Sequence, residues 1–286
     1  MAFNLQTFKT RSLTAVVFVI VMLAGLFINF YSFLLLFSII HFGCWIEYQK
    51  LIGAIDTDYK KISLFHQYGI ILLGWSLMLC ANGVAPFESA VTITSIGWWM
   101  LIILIILVPA FDMIHLQPYT FKNAGYSFAG LLYISISWAL MMNLRSKYYL
   151  QPVNSGLVIP LILIASIWIN DTMAYIVGSL IGKTPLSSIS PKKTREGTIG
   201  GALLAIVVVT LVGHFAFHLP TVHLIMISAI ATVMGTLGDL LESKLKRLAG
   251  VKDSGEIMPG HGGFLDRFDS LLLATPFVWL YVYFAL

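Results

Sequence analysis

The sequence predicts an all-α, polytopic integral membrane protein with about nine transmembrane helices. Three observations predict this class: hydrophobic residues make up 58% of the 286 residues, charged residues make up only 10%, and the mean hydropathy is +0.89. A soluble domain usually has roughly 45–50% apolar residues, so this chain is too apolar to be one. Its apolar residues also form long runs, each close to the roughly 20 residues that a membrane-spanning helix needs.

The apolar runs, taken in chain order, predict the individual helices. They cover residues 12–29, 31–47, 68–86, 91–110, 124–143, 156–182, 197–217, 220–241 and 270–286. The first two runs have almost no linker between them, which predicts a tight helical hairpin. The first run has no obvious small-residue cleavage site, so we expect it to be retained as a helix. We expect about five helices in an N-terminal part, residues 1–150, and about four in a C-terminal catalytic part, residues 151–286, within one structural unit.

The basic residues predict how the helices cross the membrane. Nine crossings place the N-terminus and the loops near 48–67, 111–123, 183–196 and 242–269 on one face, and that face carries every Lys and Arg except Arg145 and Lys147. The positive-inside rule assigns such a face to the cytoplasm. The net charge of +4 therefore reflects topology, and we expect no nucleic acid as a partner.

The most polar stretch of the chain, residues 239–269, contains six carboxylates and five cations. Asp266 and Asp269 are three residues apart and would share one face of a helix. Asp239 ends the preceding apolar run and comes within reach of them if the two helices pack side by side. Carboxylate oxygens suit Mg²⁺, which takes one or two of them and leaves its other positions to water and phosphates.

A glycine-rich turn lies inside the same stretch. Residues 259–263 read PGHGG, and they cannot form regular helix because proline lacks an N–H and glycine favours turns. Such a turn could bring backbone N–H groups close to an anion. The alternative is that residues 242–269 are a solvated loop that follows the membrane charge bias.

The sixth apolar run carries Asn170 and Asp171 in its interior. An ionisable group within a membrane span costs at least about 2.5–3.5 kcal/mol unless it faces a cavity or a partner, so Asp171 is a functional candidate. A hydrogen bond between helices is the structural alternative. Beyond this run, residues 190–197 read SPKKTREG and place two lysines before a helix N-terminus, where anions are favoured.

Residues 243–269, SKLKRLAGVKDSGEIMPGHGGFLDRFD, resemble the signature of the phosphatidate cytidylyltransferases, which are also called CDP-diacylglycerol synthases. Residues 190–197 and the DT-AY-G pattern from Asp171 to Gly178 resemble a second motif of this family. The chain departs from the family pattern at Met258, Arg195 and Ser179. The resemblance covers roughly residues 166–269, and the N-terminal helices agree only in hydropathy.

The resemblance implies the reaction CTP + phosphatidate → CDP-diacylglycerol + pyrophosphate, dependent on one Mg²⁺ or on two metal ions. It implies an enzyme of phospholipid biosynthesis in the plasma (inner) membrane of a bacterium, with its site facing the cytoplasm. The expected metal ligands are Asp239, Asp266 and Asp269. The expected catalytic residues are Asp239, Lys246, Arg247, Lys252, Asp253, His261, Asp266, Arg267 and Asp269. The expected substrate-binding residues are Asp171, Ser190, Lys192, Lys193, Thr194, Glu196, Gly262 and Gly263.

We further predict that the 242–269 loop chiefly holds CTP and that Lys192 and Lys193 chiefly receive the lipid phosphate. Membrane lipids and a homodimer complete the expected partners.

Two other functions stay open at this stage. A secondary transporter also uses intramembrane carboxylates, but its ions bind near the bilayer midplane. A CDP-alcohol phosphotransferase also uses carboxylates and Mg²⁺, although its Asp-Gly signature is absent. A different lipid phosphate, such as an isoprenoid one, is an alternative substrate.

Overall fold

A computed structural model describes residues 5–81, 93–114, 121–146, 156–256 and 262–286, with side chains described from residue 16 onward. These residues form nine helices and no β-strand. The helices are α1 (Leu5–Phe27), α2 (Phe30–Ile55), α3 (Leu64–Cys80), α4 (Ile93–Ile114), α5 (Phe121–Ser146), α6 (Val158–Ile181), α7 (Arg195–Phe217), α8 (Thr221–Leu248) and α9 (Leu265–Ala285). A 3₁₀ turn, Tyr59–Lys61, precedes α3, and α5 contains a π-helical segment, Leu131–Ile136.

Seven of these helices, all except α1 and α3, are long and apolar enough within the described residues to cross a membrane. The described parts of α1 and α3 are shorter apolar helices. The prediction of an all-α polytopic membrane protein is therefore confirmed. Five helices precede residue 147 and four follow residue 156.

The largest differences from the predicted helix boundaries occur at charged helix ends. Helix α2 continues to Ile55 and α8 to Leu248, whereas α9 already begins at Leu265. Hydropathy marks where an apolar run stops, but a helix extends further when its polar residues find partners. In the last turns of α8, Glu242 and Lys246 form such an i,i+4 ion pair at 2.5 Å, a spacing that stabilises helices.

The tight hairpin predicted between the first two helices is confirmed. Only two residues separate α1 from α2, and Asn29 caps the second helix. Its side-chain oxygen accepts a hydrogen bond from the Ser32 N–H at 2.9 Å, and the Asn29 N–H donates to the Ser32 hydroxyl at 3.0 Å. This reciprocal capping box satisfies N–H groups that the start of a helix otherwise leaves unpaired.

Small residues allow α6 and α7 to pack closely. A Cβ atom added to Gly201 of α7 would lie 2.7 Å from the backbone nitrogen of Ala174 in α6, and one added to Gly197 would lie 2.7 Å from the Ala174 carbonyl oxygen. Membrane helices commonly pack through such small residues because apolar lipid provides no hydrophobic drive for association. The close packing fixes the 182–194 loop that joins the two helices.

Contacts at one end of the bundle bring the described parts of the predicted cytoplasmic loops together. Lys122, at the start of α5, pairs with Asp56, just after α2, at 2.6 Å. Lys193, just before α7, pairs with Asp239 of α8 at 2.8 Å. The end of α2 also contacts the start of α9, as described below. The loops predicted to share a site therefore lie at the same end, here called the loop end.

The packed core joins the two parts of the chain. The buried rings of Phe37 in α2 and Trp138 in α5 lie 5.0 Å apart between centroids. Trp138 in turn contacts Phe268 of α9 edge to face at 5.9 Å. Because α2, α5 and α9 share this aromatic core, the N-terminal helices support the helix that begins next to the predicted site.

Candidate active site

A cavity of about 610 Å³ opens where α6, the 182–194 loop and α7 meet near α8. Its volume lies within the range of a small-molecule site, about 300–1,000 Å³. The cavity brings together two regions that the sequence analysis singled out, the middle of α6 and the basic segment before α7. Its polar lining includes Asp171, Lys192, Lys193, Thr194, Thr198 and Thr236.

The 182–194 loop is held in place by its own polar groups. Thr194 caps α7, since its hydroxyl accepts a hydrogen bond from the Gly197 N–H at 3.1 Å. The Glu196 carboxylate accepts from the N–H groups of Lys183 and Thr184, both at 3.2 Å. Two of the expected substrate-binding residues, Thr194 and Glu196, thus use these side-chain oxygens to fix the loop.

The same loop orients the two neighbouring lysines. The Lys193 N–H donates to the Ser190 carbonyl at 3.2 Å, and the Lys193 carbonyl accepts from the Leu186 N–H at 2.8 Å. Lys192 is exposed and Lys193 is half-buried, while both line the cavity. The structure therefore places both lysines at the cavity, with Lys193 directed towards α8 and Asp239.

Four charged residues meet beside this cavity and are called the cavity cluster: Asp171, Lys193, Asp239 and Asp269. Lys193 pairs with Asp239 at 2.8 Å, and Asp269 lies close enough to the other three to interact electrostatically. Asp269 is buried, and one of its oxygens accepts from the Ser270 N–H at 2.6 Å. Three carboxylates against one lysine leave an excess of negative charge when all are ionised.

A second group of charges, called the loop cluster, consists of Glu47, Glu242, Lys246 and Asp266. Lys246 lies between two carboxylates, 2.5 Å from Glu242 and 2.5 Å from Asp266. Its side chain is only 12% exposed. The expectation that Lys246 faces phosphate does not match this position, because its ammonium group is engaged by carboxylates of the protein itself.

Asp266 is likewise occupied by protein donors. Its second oxygen accepts hydrogen bonds from the Ser254 and Gly263 N–H groups, both at 2.8 Å, and shares the single Ser254 hydroxyl proton, at 2.9 Å, with Glu47. With Lys246 on the first oxygen, both carboxylate oxygens are in use. Asp266 therefore ties the end of α8, residue 254 and the start of α9 into one unit.

The described part of the glycine turn does bring a backbone N–H to an anion, but the anion is the protein's own Asp266. Gly262 has a positive φ of 79°, and a Cβ atom there would lie 2.6 Å from an Asp266 carboxylate oxygen. A Cβ atom on Gly263 would run into the Glu47 carboxylate. These positions need glycine because the backbone passes directly over two carboxylates.

Glu47 is the main residue that the sequence analysis missed. The apolar run of residues 31–47 predicts a helix that ends at this residue, but α2 continues to Ile55 and the Glu47 side chain is buried. Its carboxylate accepts from the Ser254 hydroxyl at 2.7 Å and from the Phe264 and Leu265 N–H groups at 2.8 and 2.9 Å. It thereby caps the N-terminus of α9, where a negative charge is also favoured by the helix dipole.

The remaining predicted residues lie further out at the loop end. Arg247 is exposed and donates to the Val251 carbonyl at 3.1 Å. Lys252, Asp253 and Arg267 are also exposed. His261 lies outside the described residues. These exposed cations are not among the described residues that line the cavity.

The structure divides the predicted metal ligands between the two clusters. Asp239 and Asp269 belong to the cavity cluster, whereas Asp266, at the start of α9, belongs to the loop cluster. Among the described residues, no three His, Cys, Asp or Glu side chains are placed as a ready group of metal ligands. Two carboxylates in an acidic cluster beside an open cavity still fit Mg²⁺, which takes few protein ligands and completes its shell with water and phosphate.

A family model and several known proteins that match most of this chain are all cytidylyltransferases. Residues 9–285 match the model of the cytidylyltransferase family. The chain is 34% identical over 233 residues to a phosphatidate cytidylyltransferase of Bacillus subtilis, covering 77% of this chain and 80% of that protein. It is 31% identical over 276 residues to one of Staphylococcus saprophyticus, covering 94% and 96% of the two chains. A similar enzyme of Staphylococcus aureus is 30% identical over 271 residues.

Proposed function

The chain belongs to the cytidylyltransferase family, and from this premise we propose that it makes CDP-diacylglycerol and pyrophosphate from CTP and phosphatidate. The observation that carries the proposal is the cavity cluster. It joins the basic segment before α7 to Asp239 of α8, beside a cavity that membrane helix α6 helps to line. A water-soluble nucleotide can approach such a site from the loop end, and a lipid can approach it along the membrane helices.

The proposed chemistry matches the groups present. An oxygen of the phosphatidate phosphate forms a bond to the α-phosphorus of CTP, and the bond from that phosphorus to the bridging oxygen breaks to release pyrophosphate. The attacking oxygen is already an anion at neutral pH, so no general base is needed. The protein must align two anions and offset their repulsion. Lys192 and Lys193 provide positive charge beside the cavity, and fixed cations of this kind stabilise transferring phosphoryl groups.

We infer that Asp239 and Asp269, with Asp171 nearby, would hold Mg²⁺. When bound, the ion would neutralise the phosphates of CTP and polarise the phosphorus that is attacked. Both oxygens of Asp266 already accept hydrogen bonds from the protein. We therefore assign Asp266 and Lys246 to positioning, and we retain Asp239 and Asp269 from the predicted ligand set.

We also propose that the loop end faces the cytoplasm of a bacterial cell, since CTP and nearly all basic residues belong on that side. Cysteine accessibility in intact cells tests this orientation at Lys192 and Lys252. The proposed homodimer is a separate prediction, and cross-linking in the native membrane tests it.

One assay tests the reaction itself. The purified full-length protein in detergent, supplied with labelled CTP and phosphatidate, is expected to release pyrophosphate and form CDP-diacylglycerol only when Mg²⁺ is present. Removing Mg²⁺ with EDTA and adding it back should abolish and restore the product. An isoprenoid phosphate offered in place of phosphatidate serves as the substrate control. Turnover of that lipid alone, or turnover undiminished by EDTA, would contradict the proposal.

The two basic regions are expected to divide the substrates between them. Lys193→Ala should raise the KM for phosphatidate more than that for CTP, because Lys193 lies beside the membrane cavity. Arg247→Ala should do the reverse, because Arg247 lies at the exposed loop end. A lost charged contact costs about 1.5–3 kcal/mol, which corresponds to roughly tenfold or more in kcat/KM. Steady-state kinetics with each substrate varied in turn measure the difference.

The matched control for Arg247 is Lys244→Ala, which removes another exposed cation from the same helix. Lys244→Ala should change the KM for CTP and the KM for phosphatidate only slightly. Equal effects of Lys193→Ala and Arg247→Ala on both substrates would show one undivided phosphate site.

A further inference from the structure

A second cavity, of about 440 Å³, lies at the loop end between α2, the 3₁₀ turn and α3, on helices that do not line the first cavity. Its polar lining includes Gln49, Lys50, Lys60 and Gln67. Among the residues that the structure describes, no carboxylate lines it. It is thus a basic cavity in the N-terminal part of the chain, with no role in the chemistry proposed above.

The two lysines of this cavity carry uncompensated charge. In the part of the chain that the structure describes, neither Lys50 nor Lys60 forms an ion pair, although carboxylates lie close by along the chain. Those carboxylates have other partners: Asp56 pairs with Lys122 at 2.6 Å and Asp58 pairs with Lys61 at 2.8 Å. The hydrogen bond from Lys122 also lowers the pKa of the Asp56 carboxyl. Because both carboxylates are paired with other lysines, the charges of Lys50 and Lys60 are left to attract an anion from outside the chain.

On α2, the lining has a charged and an apolar side chain at different depths. Ile46 precedes Lys50 by four residues and lies about 6 Å further from the loop end at 1.5 Å per residue. On α3, which runs in the opposite direction, Ile71 follows Gln67 by four residues and therefore also lies about 6 Å further from the loop end. The two helices are linked there, since the Gln49 side chain donates to the Gln67 carbonyl at 3.0 Å.

The cavity is also open to the outside of the bundle. Two of its lining side chains, Ile46 and Tyr68, are 46% and 61% exposed. The stem of Lys60 packs beside Gly53, where an added Cβ atom would lie at an ordinary contact distance of 3.5 Å from the Lys60 Cβ. The surroundings thus offer positive charge at the level of lipid head groups, and apolar surface one turn below it.

We propose that this cavity binds the phosphate head group of an anionic phospholipid, with Lys50 and Lys60 on the phosphate and an acyl chain beside Ile46 and Ile71. Lysines next to a membrane attract anionic lipids in this way. The phosphate of a lipid can contact the lysines while its acyl chain contacts the apolar side chains. A soluble anion satisfies only the charged part.

Occupancy of this site is coupled to the active site through α2. Lys50 lies one helical turn after Glu47, and the Glu47 carboxylate holds residue 254 and the start of α9. A head group bound to Lys50 restrains the same part of α2. Anionic lipid at this cavity is therefore expected to stabilise the loop cluster, as well as the cavity itself.

Native mass spectrometry of the full-length protein in detergent tests the proposal, with dioleoylphosphatidylglycerol as the probe and dioleoylphosphatidylcholine as its uncharged comparison. The double variant Lys50→Gln with Lys60→Gln should bind phosphatidylglycerol about tenfold more weakly or worse. The control, Lys183→Gln with Lys244→Gln, removes the same charge from the same end, from exposed side chains that do not line this cavity. It should change binding by less than about threefold.

Equal weakening in both double variants, or none in the first, would overturn the proposal. So would phosphatidylcholine binding as tight as that of phosphatidylglycerol, or displacement of the lipid by inorganic phosphate alone, which would indicate a soluble anion. Thermal unfolding gives the second readout: phosphatidylglycerol should raise the Tm of the unsubstituted protein and of the control, but not of the Lys50/Lys60 variant. Neither measurement contains CTP or phosphatidate, so failure here leaves the proposed reaction untouched.

Discussion

Asp239→Asn is expected to reduce CTP turnover by about a hundredfold or more, a loss typical of removing one electrostatic group from a site that stabilises a charged transition state. Asn keeps the size of the side chain but removes the charge that pairs with Lys193 at 2.8 Å and that would hold Mg²⁺. Asp269→Asn should have a similar effect, because Asp269 lies in the same cluster. Steady-state turnover, measured on protein shown to be folded by size-exclusion chromatography, gives the comparison.

The dependence on metal concentration separates two explanations of such a loss. If Asp239 holds Mg²⁺, the variant should need a higher Mg²⁺ concentration for half-maximal rate. If Asp239 only orients Lys193, that concentration should not change. Asp58→Asn is the matched control, since it removes a carboxylate that pairs with a lysine at 2.8 Å on the surface, with the Asp side chain 62% exposed. Near-normal turnover of a folded Asp239→Asn protein would contradict the proposed ligand set.

Much of the fold could be predicted because hydropathy reports directly on the membrane. Runs of about 20 apolar residues have few alternatives to a membrane helix, and the basic loops identified which helix ends share a face. The helix ends were less predictable, because Glu242 and Lys246 continue α8 past its apolar run through a pair within the helix. Hydropathy alone gives no signal for such a pair.

The sequence indicates which types of residue form the candidate site better than it indicates which of them lie together. Spacing placed Asp266 and Asp269 near each other, but only the packing of α8 against α9 decides which carboxylates share a cluster. Lys246 illustrates the limit, since a lysine in a basic loop looks available for phosphate until a buried Glu242 and Asp266 are found on either side of it. The reasoning applied to Asp171 does not extend to Glu47, because Glu47 is the last residue of its apolar run and Asp171 lies in the interior of one. The partners of Glu47 are more than 200 residues away, and no local pattern reveals them.

Glu47→Gln is expected to lower turnover by roughly tenfold to a hundredfold, as substitutions in the shell around a site commonly do. The Glu47 carboxylate accepts hydrogen bonds from the Ser254 hydroxyl and from the Phe264 and Leu265 N–H groups. An amide has only one oxygen, so its NH₂ group would face donors. Leaving a buried N–H without an acceptor costs about 1–3 kcal/mol. The substitution therefore destabilises the segment before α9 and the first turn of that helix.

Because Glu47 lies in the loop cluster and not beside the cavity, its effect is expected to differ from that of a residue that touches substrate. The Glu47→Gln protein should show faster proteolysis within residues 249–264 and a lower Tm. Its Mg²⁺ concentration for half-maximal rate should stay unchanged, in contrast to Asp239→Asn. Limited proteolysis with mass-spectrometric mapping of the cut sites, alongside kinetics, measures both properties.

Gln49→Glu provides the matched comparison, since it exchanges the same two functional groups on the same helix, two residues away and at a half-buried position. It should leave the 249–264 segment as resistant to protease as in the unsubstituted protein. Full activity of Glu47→Gln with unchanged proteolysis would show that α9 keeps its N-terminal geometry without this carboxylate. The assignment of Glu47 as the residue by which the N-terminal helices position the 249–264 segment would then fail, because among the described residues it is the Glu47 carboxylate that joins α2 to that segment by hydrogen bonds.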